Sequence, residues 1–306
     1  MENNNEHPWS VEASGGWKTY GYRKNQWSWH PDYGFDLTRS PTTRRIGLKT
    51  TNAAITIAPE HTALIIIDTQ NFFLSRSLGR TGAGHAAEEA LLKFGIPAAR
   101  KAHIQIIWLT WGVTQADFDV MDPTTARIFS FNGTEKRRIK LFTMLDPKSP
   151  PANREVEIDV EIPCEGIGSD IGDIKLLSGH TVPGGRLLMQ GEWNTALHGP
   201  LEAAFQQGLK LNQRPDVRFH KNRLSGMCDT MTACTDFLRN NGIHTLLFSG
   251  VNTDQCVLAT IQDANLKGFD TILLQDGCAQ SSTEYNCGKS WGFMTTCQEL
   301  ADAVGC

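Results

Sequence analysis

The chain has no long apolar run and no large excess of charge of either sign. No stretch among its 306 residues approaches 18 consecutive apolar residues, so a membrane-spanning helix is not expected. The net charge at pH 7 is −4, which gives no general electrostatic reason to bind nucleic acid or an anionic membrane. Hydrophobic residues make up 40% of the chain, enough for a sizeable core in one large or two small domains.

Targeting and cofactor signals are also absent. The first ten residues are polar and lack the apolar region of a signal peptide, and none of the eight cysteines forms a C-x-x-C pair. We therefore predict a cytoplasmic protein with reduced cysteines. The nine histidines are scattered without ligand spacing, and Gly79, Gly82 and Gly84 lie too far beyond the preceding strand for a dinucleotide loop. No metal or other cofactor is expected.

Residues 1–55 are unusually rich in tryptophan. Disordered tails are poor in aromatic residues, so we predict that this segment packs on the body of the protein or on another subunit. We predict an aromatic-rich N-terminal arm over residues 1–55, and a domain over 56–306 with an insertion at about 112–190. The tryptophans of the arm are Trp9, Trp17, Trp27 and Trp29.

After the arm, short apolar runs alternate with segments of helical periodicity. This alternation predicts an α/β fold of three layers (αβα), with a mostly parallel, Rossmann-like sheet between helices. The insertion is rich in loops and contains no convincing core strand. The predicted strands are 63–68, 104–111, 216–221, 244–249 and 270–275, and the predicted helices are 85–103, 229–241, 254–267 and part of 283–303.

Four of the predicted strands end at residues that could form one site. Asp68, Trp111, Lys221 and Gly250 lie at the carboxyl ends of their strands, where ligands bind in parallel sheets. Cys256 follows Gly250 at the point where strand gives way to helix. The sequence therefore predicts a shared site at one edge of the sheet.

The residue types suit nucleophilic catalysis by the cysteine. A carboxylate such as Asp68 can take the thiol proton and later return it to a leaving amine. The ammonium group of Lys221 favours ionised neighbours, and the positive end of a helix favours thiolate, so we expect Cys256 to rest as a thiolate. It would attack a carbonyl and form an acyl-enzyme that water hydrolyses, with residues 251–256 supplying amides for the oxyanion.

Three segments carry a family resemblance: IIIDTQNFF at 65–73, HKNRLSGM at 220–227 and GVNTDQCVLATIQDA at 250–264. They resemble the isochorismatase-like cysteine hydrolases, a superfamily that includes nicotinamidases, N-carbamoylsarcosine amidohydrolases, and ureidoacrylate and biuret hydrolases. The resemblance covers roughly residues 60–110 and 185–300, and we place the chain in the N-carbamoylsarcosine amidohydrolase or ureidoacrylate hydrolase-like branch. Residues 109–123 and 33–40 resemble segments of longer fungal members.

The resemblance implies an isochorismatase-like hydrolase fold and a set of catalytic residues. Asp68, Lys221 and Cys256 would form the triad. The Val251–Asn252 peptide would be the non-proline cis bond of the family, aiming the Asn252 and Cys256 amides at the oxyanion.

Four further side chains are candidates for substrate binding, from their positions in the sequence. Gln70 and Phe73 follow the catalytic strand and would face the pocket. Trp111 is either a wall of the pocket or part of the core, and Trp193 is a looser candidate. Large aromatic side chains would suit a planar or apolar substrate.

The resemblance also narrows the reaction. True isochorismatases hydrolyse a vinyl ether and lack this cysteine, so Cys256 implies hydrolysis of a C–N bond in an amide, imide or ureide. Residues 68–77 offer no histidine where metal-binding nicotinamidases have ligands, so we predict a metal-independent reaction and disfavour nicotinamide.

Two alternatives to this function stay open, a vinyl-ether hydrolase and a non-catalytic binding or scaffold protein. The expected partner is a small-molecule substrate rather than nucleic acid or a membrane. We also predict a homo-oligomer, either a dimer or a tetramer.

Overall fold

The computed structural model describes residues 10–12, 14–22, 25–39, 44–126, 128–129, 139–142, 155–158, 166–279 and 292–306. Trp9 and the start of the Thr/Arg run after Pro41 lie outside these residues. The strands are, in chain order, β1 (Ser10–Glu12), β2 (Lys18–Tyr22), β3 (Asn25–His30), β4 (Gly34–Asp36), β5 (Ile46–Leu48), β6 (Ile55–Ile57), β7 (Thr62–Ile67), β8 (Gln105–Trp111), β9 (Ile139–Phe142), β10 (Glu155–Ile158), β11 (Asp173–Lys175), β12 (Thr181–Pro183), β13 (Val217–Lys221), β14 (Thr245–Gly250), β15 (Asp270–Cys278) and β16 (Phe293–Thr295).

The helices are short, and π-helical turns adjoin some of them. The π-helical turn over Leu91–Gly95 connects two α-helices without a break, and the π-helical turn over Thr253–Val257 directly precedes a third. None of the described helices is long and apolar enough to cross a membrane. The α-helices are α1 (Asn71–Leu74), α2 (Ala83–Ala90), α3 (Ile96–Ala102), α4 (Gln115–Asp119), α5 (Pro123–Ala126), α6 (Gly199–Gly208), α7 (Ala233–Asn240), α8 (Leu258–Leu266) and α9 (Cys297–Val304).

The central sheet has six strands in the order β13-β8-β7-β14-β15-β16, and every adjacent pair is parallel. Successive side chains of β7 belong to two different apolar clusters, Leu64 and Ile66 to one, Ile65 and Ile67 to the other. Side chains alternate across a strand, so both faces of the sheet are buried. The predicted α/β fold with a mostly parallel sheet is confirmed.

The sequence predicted the main elements of this sheet to within a few residues, but it missed others. The edge strand β16 and the sheet of the N-terminal arm had no clear apolar pattern. In the insertion, the described strands form two separate antiparallel pairs, β9 with β10 and β11 with β12, outside the central sheet.

The arm residues form a second six-stranded sheet, in the order β1-β2-β3-β4-β6-β5. Its residues pack against the end of the central sheet: the rings of Trp27 and Phe35 each lie 5.6 Å from the ring of Phe293. Arg39, which follows β4, pairs with Asp270 at the start of β15. The division at residue 55 stays a prediction, and that boundary falls inside β6.

Candidate active site

The three predicted catalytic side chains meet at the carboxyl edge of the central sheet. Asp68 directly follows β7, Lys221 is the last residue of β13, and Cys256 lies in the π-helical turn after β14. Lys221 Nζ is 2.9 Å from Asp68 Oδ2 and donates to Cys256 Sγ at 3.4 Å. The lysine therefore links the carboxylate and the thiol, although the three residues are distant in sequence.

The Lys221 ammonium is enclosed by groups that favour positive charge. Besides its two partners in the triad, Nζ donates to the carbonyl oxygen of Arg223 at 3.1 Å and lies 3.9 Å from the centroid of the Trp111 ring. A cation over the face of an aromatic ring is stabilised by the quadrupole of that ring, more so when water is excluded. The residue is only 5% exposed, so these contacts replace its hydration.

The backbone holds Asp68 in an uncommon conformation. Its φ of 52° lies in the left-handed region, where a residue other than glycine is rare, and this turns the chain sharply at the end of β7. The amide of Trp111 donates to Asp68 Oδ1 at 3.1 Å. That bond fixes one carboxylate oxygen and leaves the other facing Lys221.

The segment before Cys256 needs a glycine. Gly250 has a φ of 116°, and a side chain there would overlap the carbonyl oxygen of Ile67 in the neighbouring strand. The next peptide bond, between Val251 and Asn252, is cis. At the other side of the turn, the hydroxyl of Thr260 donates to the Cys256 carbonyl oxygen at 2.7 Å. The close approach of Gly250 to β7 therefore excludes any larger residue at this position.

Burial dominates the protonation of the site. It raises the pKa of the Cys256 thiol to about 12, although the Lys221 ammonium acts in the opposite direction. Burial also raises the pKa of Asp68 above its ordinary value of 3.8, against the lowering effects of Lys221 and of a hydrogen bond from Cys256. The expectation of a resting thiolate is therefore wrong, because desolvation outweighs the nearby positive charge. The site holds a neutral thiol beside a carboxylate of increased basicity.

This arrangement predicts the acid limb of the pH profile. The value of kcat/KM should fall at low pH with an apparent pKa above 3.8, because only ionised Asp68 can accept the thiol proton and burial raises its pKa. The measurement is kcat/KM from about pH 4 to pH 8, with circular dichroism at each pH to show that the chain remains folded. A profile that stays flat down to about pH 4 would contradict the role of Asp68.

The side chain of Gln70 forms hydrogen bonds with the backbone around it. Its side-chain Nε2 donates to the carbonyl oxygens of Trp111 at 2.8 Å and Thr195 at 2.7 Å, and its Oε1 accepts from the Trp111 amide at 2.9 Å. Both amide hydrogens are therefore occupied. In this structure Gln70 positions the end of β8, and a contact with substrate stays a prediction.

The three aromatic candidates occupy different surroundings. Trp111 is fully buried, with its ring over Lys221, and its indole N–H lacks an acceptor of normal geometry among the described residues. Phe73 is half-buried, and its ring packs against Phe72 at 5.0 Å and Phe129 at 6.0 Å. Trp193 is half-buried, and its carbonyl oxygen accepts from Asn71. Their roles in substrate binding stay predictions.

Sequence reasoning missed one cluster of polar side chains near this edge. His85 and Glu88 on α2 meet His198, which directly precedes α6. The His-x-x-Glu spacing on a predicted helix was a visible signal for two of these residues. The third is 110 residues further along the chain, and only the fold brings it there.

Comparison with known proteins gives the same assignment as the geometry. A family profile described as "Isochorismatase domain" matches residues 180–302, which include Lys221 and Cys256. Residues 180–302 therefore match an isochorismatase domain, and the predicted resemblance to the isochorismatase-like superfamily is confirmed. The comparisons also confirm that the chain is a hydrolase, as the sequence predicted.

Two relatives and one solved structure illustrate the similarity. Ureidoacrylate amidohydrolase RutB of Enterobacter sp. (strain 638) is 26% identical over 263 residues, covering 82% of this chain and 92% of the relative. RutB of Pantoea ananatis (strain LMG 20103) is 25% identical over 264 residues, covering 82% and 85%. A crystal structure of a cysteine hydrolase from Pseudomonas syringae pv. phaseolicola 1448A has a TM-score of 0.52 at 15% identity, covering 86% of this chain and 99% of that one. At this identity the structural match shows a shared fold.

Proposed function

We propose that this member of the superfamily is a metal-independent cysteine hydrolase. It cleaves a C–N bond of a small amide, imide or ureide through an acyl-thioester intermediate. The observation that carries the proposal is the contact of Asp68, Lys221 and Cys256 at one edge of the sheet, with Lys221 Nζ 2.9 Å from the carboxylate and 3.4 Å from the sulfur.

Acylation follows from the protonation of this site. The Asp68 carboxylate takes the proton of the Cys256 thiol as Sγ bonds to the substrate carbonyl carbon, so a free thiolate need not accumulate. The amides of Asn252 and Cys256 donate to the resulting oxyanion. When the tetrahedral species collapses, the C–N bond breaks and the leaving nitrogen takes the proton from Asp68.

Deacylation reverses these roles with water as the nucleophile. Asp68 takes a proton from water as its oxygen attacks the thioester carbonyl, and the C–S bond breaks. Sγ takes the proton back, which restores the thiol and releases the acid. The Lys221 ammonium, 2.9 Å from Asp68, stabilises the carboxylate whenever it is ionised.

Two observations support the proposal that the hydrolysed bond is a C–N bond. The relatives at 24–26% identity are amidohydrolases by name. Cys256 itself sets this chain apart from the vinyl-ether hydrolases of the superfamily, which lack the cysteine. A purely binding or scaffolding role gives no reason for a buried lysine between a carboxylate and a thiol, because burying such charges is costly.

Metal independence rests on the residues around the triad. In the ranges that the structure describes, no group of three potential ligand side chains includes Asp68 or Cys256. Activation of the nucleophile is therefore assigned to Asp68. The expected partner is a small molecule, and assembly into a dimer or tetramer stays a prediction.

A panel of small amides, imides and ureides, with a ureidoacrylate among them, tests the proposal. We expect release of ammonia or an amine from at least one compound, with kcat unchanged after exhaustive chelation. Circular dichroism of the chelated protein shows whether it remains folded. Turnover of a vinyl ether alone, or loss of turnover on chelation of the folded protein, would contradict the proposal.

A further inference from the structure

A second cluster of reactive side chains lies outside the triad, between α2 and the segment that leads into α6. His85 and Glu88 are one helical turn apart on α2, and His198 reaches the same carboxylate from the other side. Glu88 Oε2 is 3.4 Å from His85 Nδ1, and Glu88 Oε1 is 2.7 Å from His198 Nδ1. One potential ligand atom of each residue lies within 4.8 Å of the other two.

The hydrogen bonds of His85 call for a cation at this point. His85 Nε2 lies 3.2 Å from the carbonyl oxygen of Arg80, and Nδ1 lies 3.4 Å from Glu88 Oε2; both oxygens can only accept. A neutral imidazole has a single N–H, so in either tautomer one ring lone pair faces an acceptor oxygen. Either a proton or a metal ion between these atoms makes the contact favourable.

The surroundings of His85 match those of a metal ligand. Histidines that bind metals commonly donate their other ring N–H to a backbone carbonyl or a carboxylate, which fixes the ring orientation. The carbonyl oxygen of Arg80 stands in that position. Two histidines and one glutamate are also a known ligand set for Zn²⁺ in sites that keep a fourth position open.

The cluster has room on its open side. A cavity of about 510 Å³ is lined by the three residues and by the charged side chains of Arg76, Glu89 and Lys93. The side chains of His85, Glu88 and His198 are 15%, 9% and 19% exposed, so they are shielded but reachable. A water molecule from the cavity can complete a tetrahedral set. The cations Arg76 and Lys93 are exposed side chains, where water screens their repulsion of a metal.

We propose that His85, Glu88 and His198 bind a divalent metal ion, with Zn²⁺ as the preferred ion. Nδ1 of each histidine and one carboxylate oxygen of Glu88 are the ligands, and the short His198–Glu88 contact lengthens slightly to admit the ion. This site is separate from the triad: in the described part of the chain, none of the three side chains is hydrogen-bonded to Asp68, Lys221 or Cys256.

The bound ion fastens α2 to the segment before α6. The amide of His198 donates to the carbonyl oxygen of Thr69 at 2.9 Å, and Thr69 follows Asp68. The metal therefore stabilises the chain beside β7 without taking part in the reaction. Because the ion would raise the stability of the fold only, the inference is compatible with the proposed metal-independent hydrolysis.

Titration of the chelator-treated, full-length protein with Zn²⁺ alone tests the site. We expect one equivalent to bind at this cluster and the melting temperature to rise. X-ray absorption at the zinc edge should show nitrogen and oxygen at about 2.0–2.1 Å, without the sulfur shell at about 2.3 Å that binding to cysteines would give. Glu88→Gln and His198→Gln should each weaken binding by more than about 10-fold.

The matched control is His180→Gln, which removes an exposed histidine before β12. It should bind Zn²⁺ like the wild type. The proposal is overturned if Zn²⁺ leaves the melting temperature unchanged, if only a sulfur shell is seen, or if the wild type binds no better than His198→Gln. All these readouts are independent of enzymatic activity.

Discussion

Replacing Cys256 with alanine is expected to lower kcat by about 10⁴-fold or more, because removal of a covalent nucleophile leaves only binding and oxyanion stabilisation. The variant should fold, since Cys256 is only 2% exposed and alanine is smaller and apolar. The measurement is steady-state turnover of the best substrate from the panel, with circular dichroism and melting temperature as checks of folding.

Cys234 provides the matched control. It is 1% exposed on α7, and burial raises the pKa of its thiol to about 12, as for Cys256. It has no described ionic partner, so Cys234→Ala should keep wild-type kcat at a temperature where it is folded. A folded Cys256→Ala protein with full turnover would rule out the nucleophile.

Replacing Arg39 with methionine is expected to lower the free energy of unfolding by about 3–5 kcal/mol, because it leaves a buried carboxylate without its cation. The guanidinium of Arg39 forms a bidentate pair with Asp270, at 2.6 Å to Oδ2 and 2.7 Å to Oδ1. The side chain of Asp270 is 2% exposed. Trp27 and Thr245 also donate to it, but they are neutral and cannot replace the charge. His244 Nδ1 lies 3.5 Å from Oδ2, but burial lowers the pKa of His244 below 6.5, so at neutral pH it does not supply a full positive charge.

Arg45→Met is the control within the same arm. Arg45 pairs with Asp36, but its side chain is 40% exposed, so water competes with the ion pair. Its loss should cost about 0–1 kcal/mol. Urea unfolding of both variants measures the difference. If both variants lost the same free energy of unfolding, the Arg39–Asp270 pair would not be what holds the arm on the sheet.

The effect of Arg39→Met should depend on pH in a definite direction. Burial alone would raise the pKa of Asp270, but the hydrogen bonds and charges of Arg39 and His244 hold it below the ordinary value of 3.8. The stability from this pair is therefore fully present above pH 3.8 and is lost as pH falls through the lowered pKa. The difference in free energy of unfolding between wild type and Arg39→Met should therefore become smaller in acid.

Much of the fold and of the triad could be predicted because the signals are local. The run over 63–68 is apolar on both faces and ends in a carboxylate, which indicates a buried parallel strand that stops at a functional edge. Lys221, the last residue of β13, likewise places an ionisable side chain at the carboxyl end of a strand. The triad then follows, because strand ends of a parallel sheet meet at one edge.

The parts that could not be predicted depend on distant residues. Arg39 and Asp270 are 231 residues apart, and nothing in either segment indicates the other. His198 lies 110 residues from Glu88, so the spacing of His85 and Glu88 could not reveal the complete cluster. The resting thiolate was predicted from the turn and from Lys221, but the depth of burial, which decides the pKa, comes from packing of the whole core.

The covalent intermediate at Cys256 is tested most directly by mass spectrometry of the acid-quenched enzyme. A series of substrates should share one acyl group and carry increasingly good leaving groups, so that acylation outpaces deacylation. We predict that the peptide containing Cys256 gains the mass of the acyl group, with the same increment for every member of the series. Turnover of the best leaving group with Cys256 unmodified, or an adduct only on another cysteine, would contradict the mechanism.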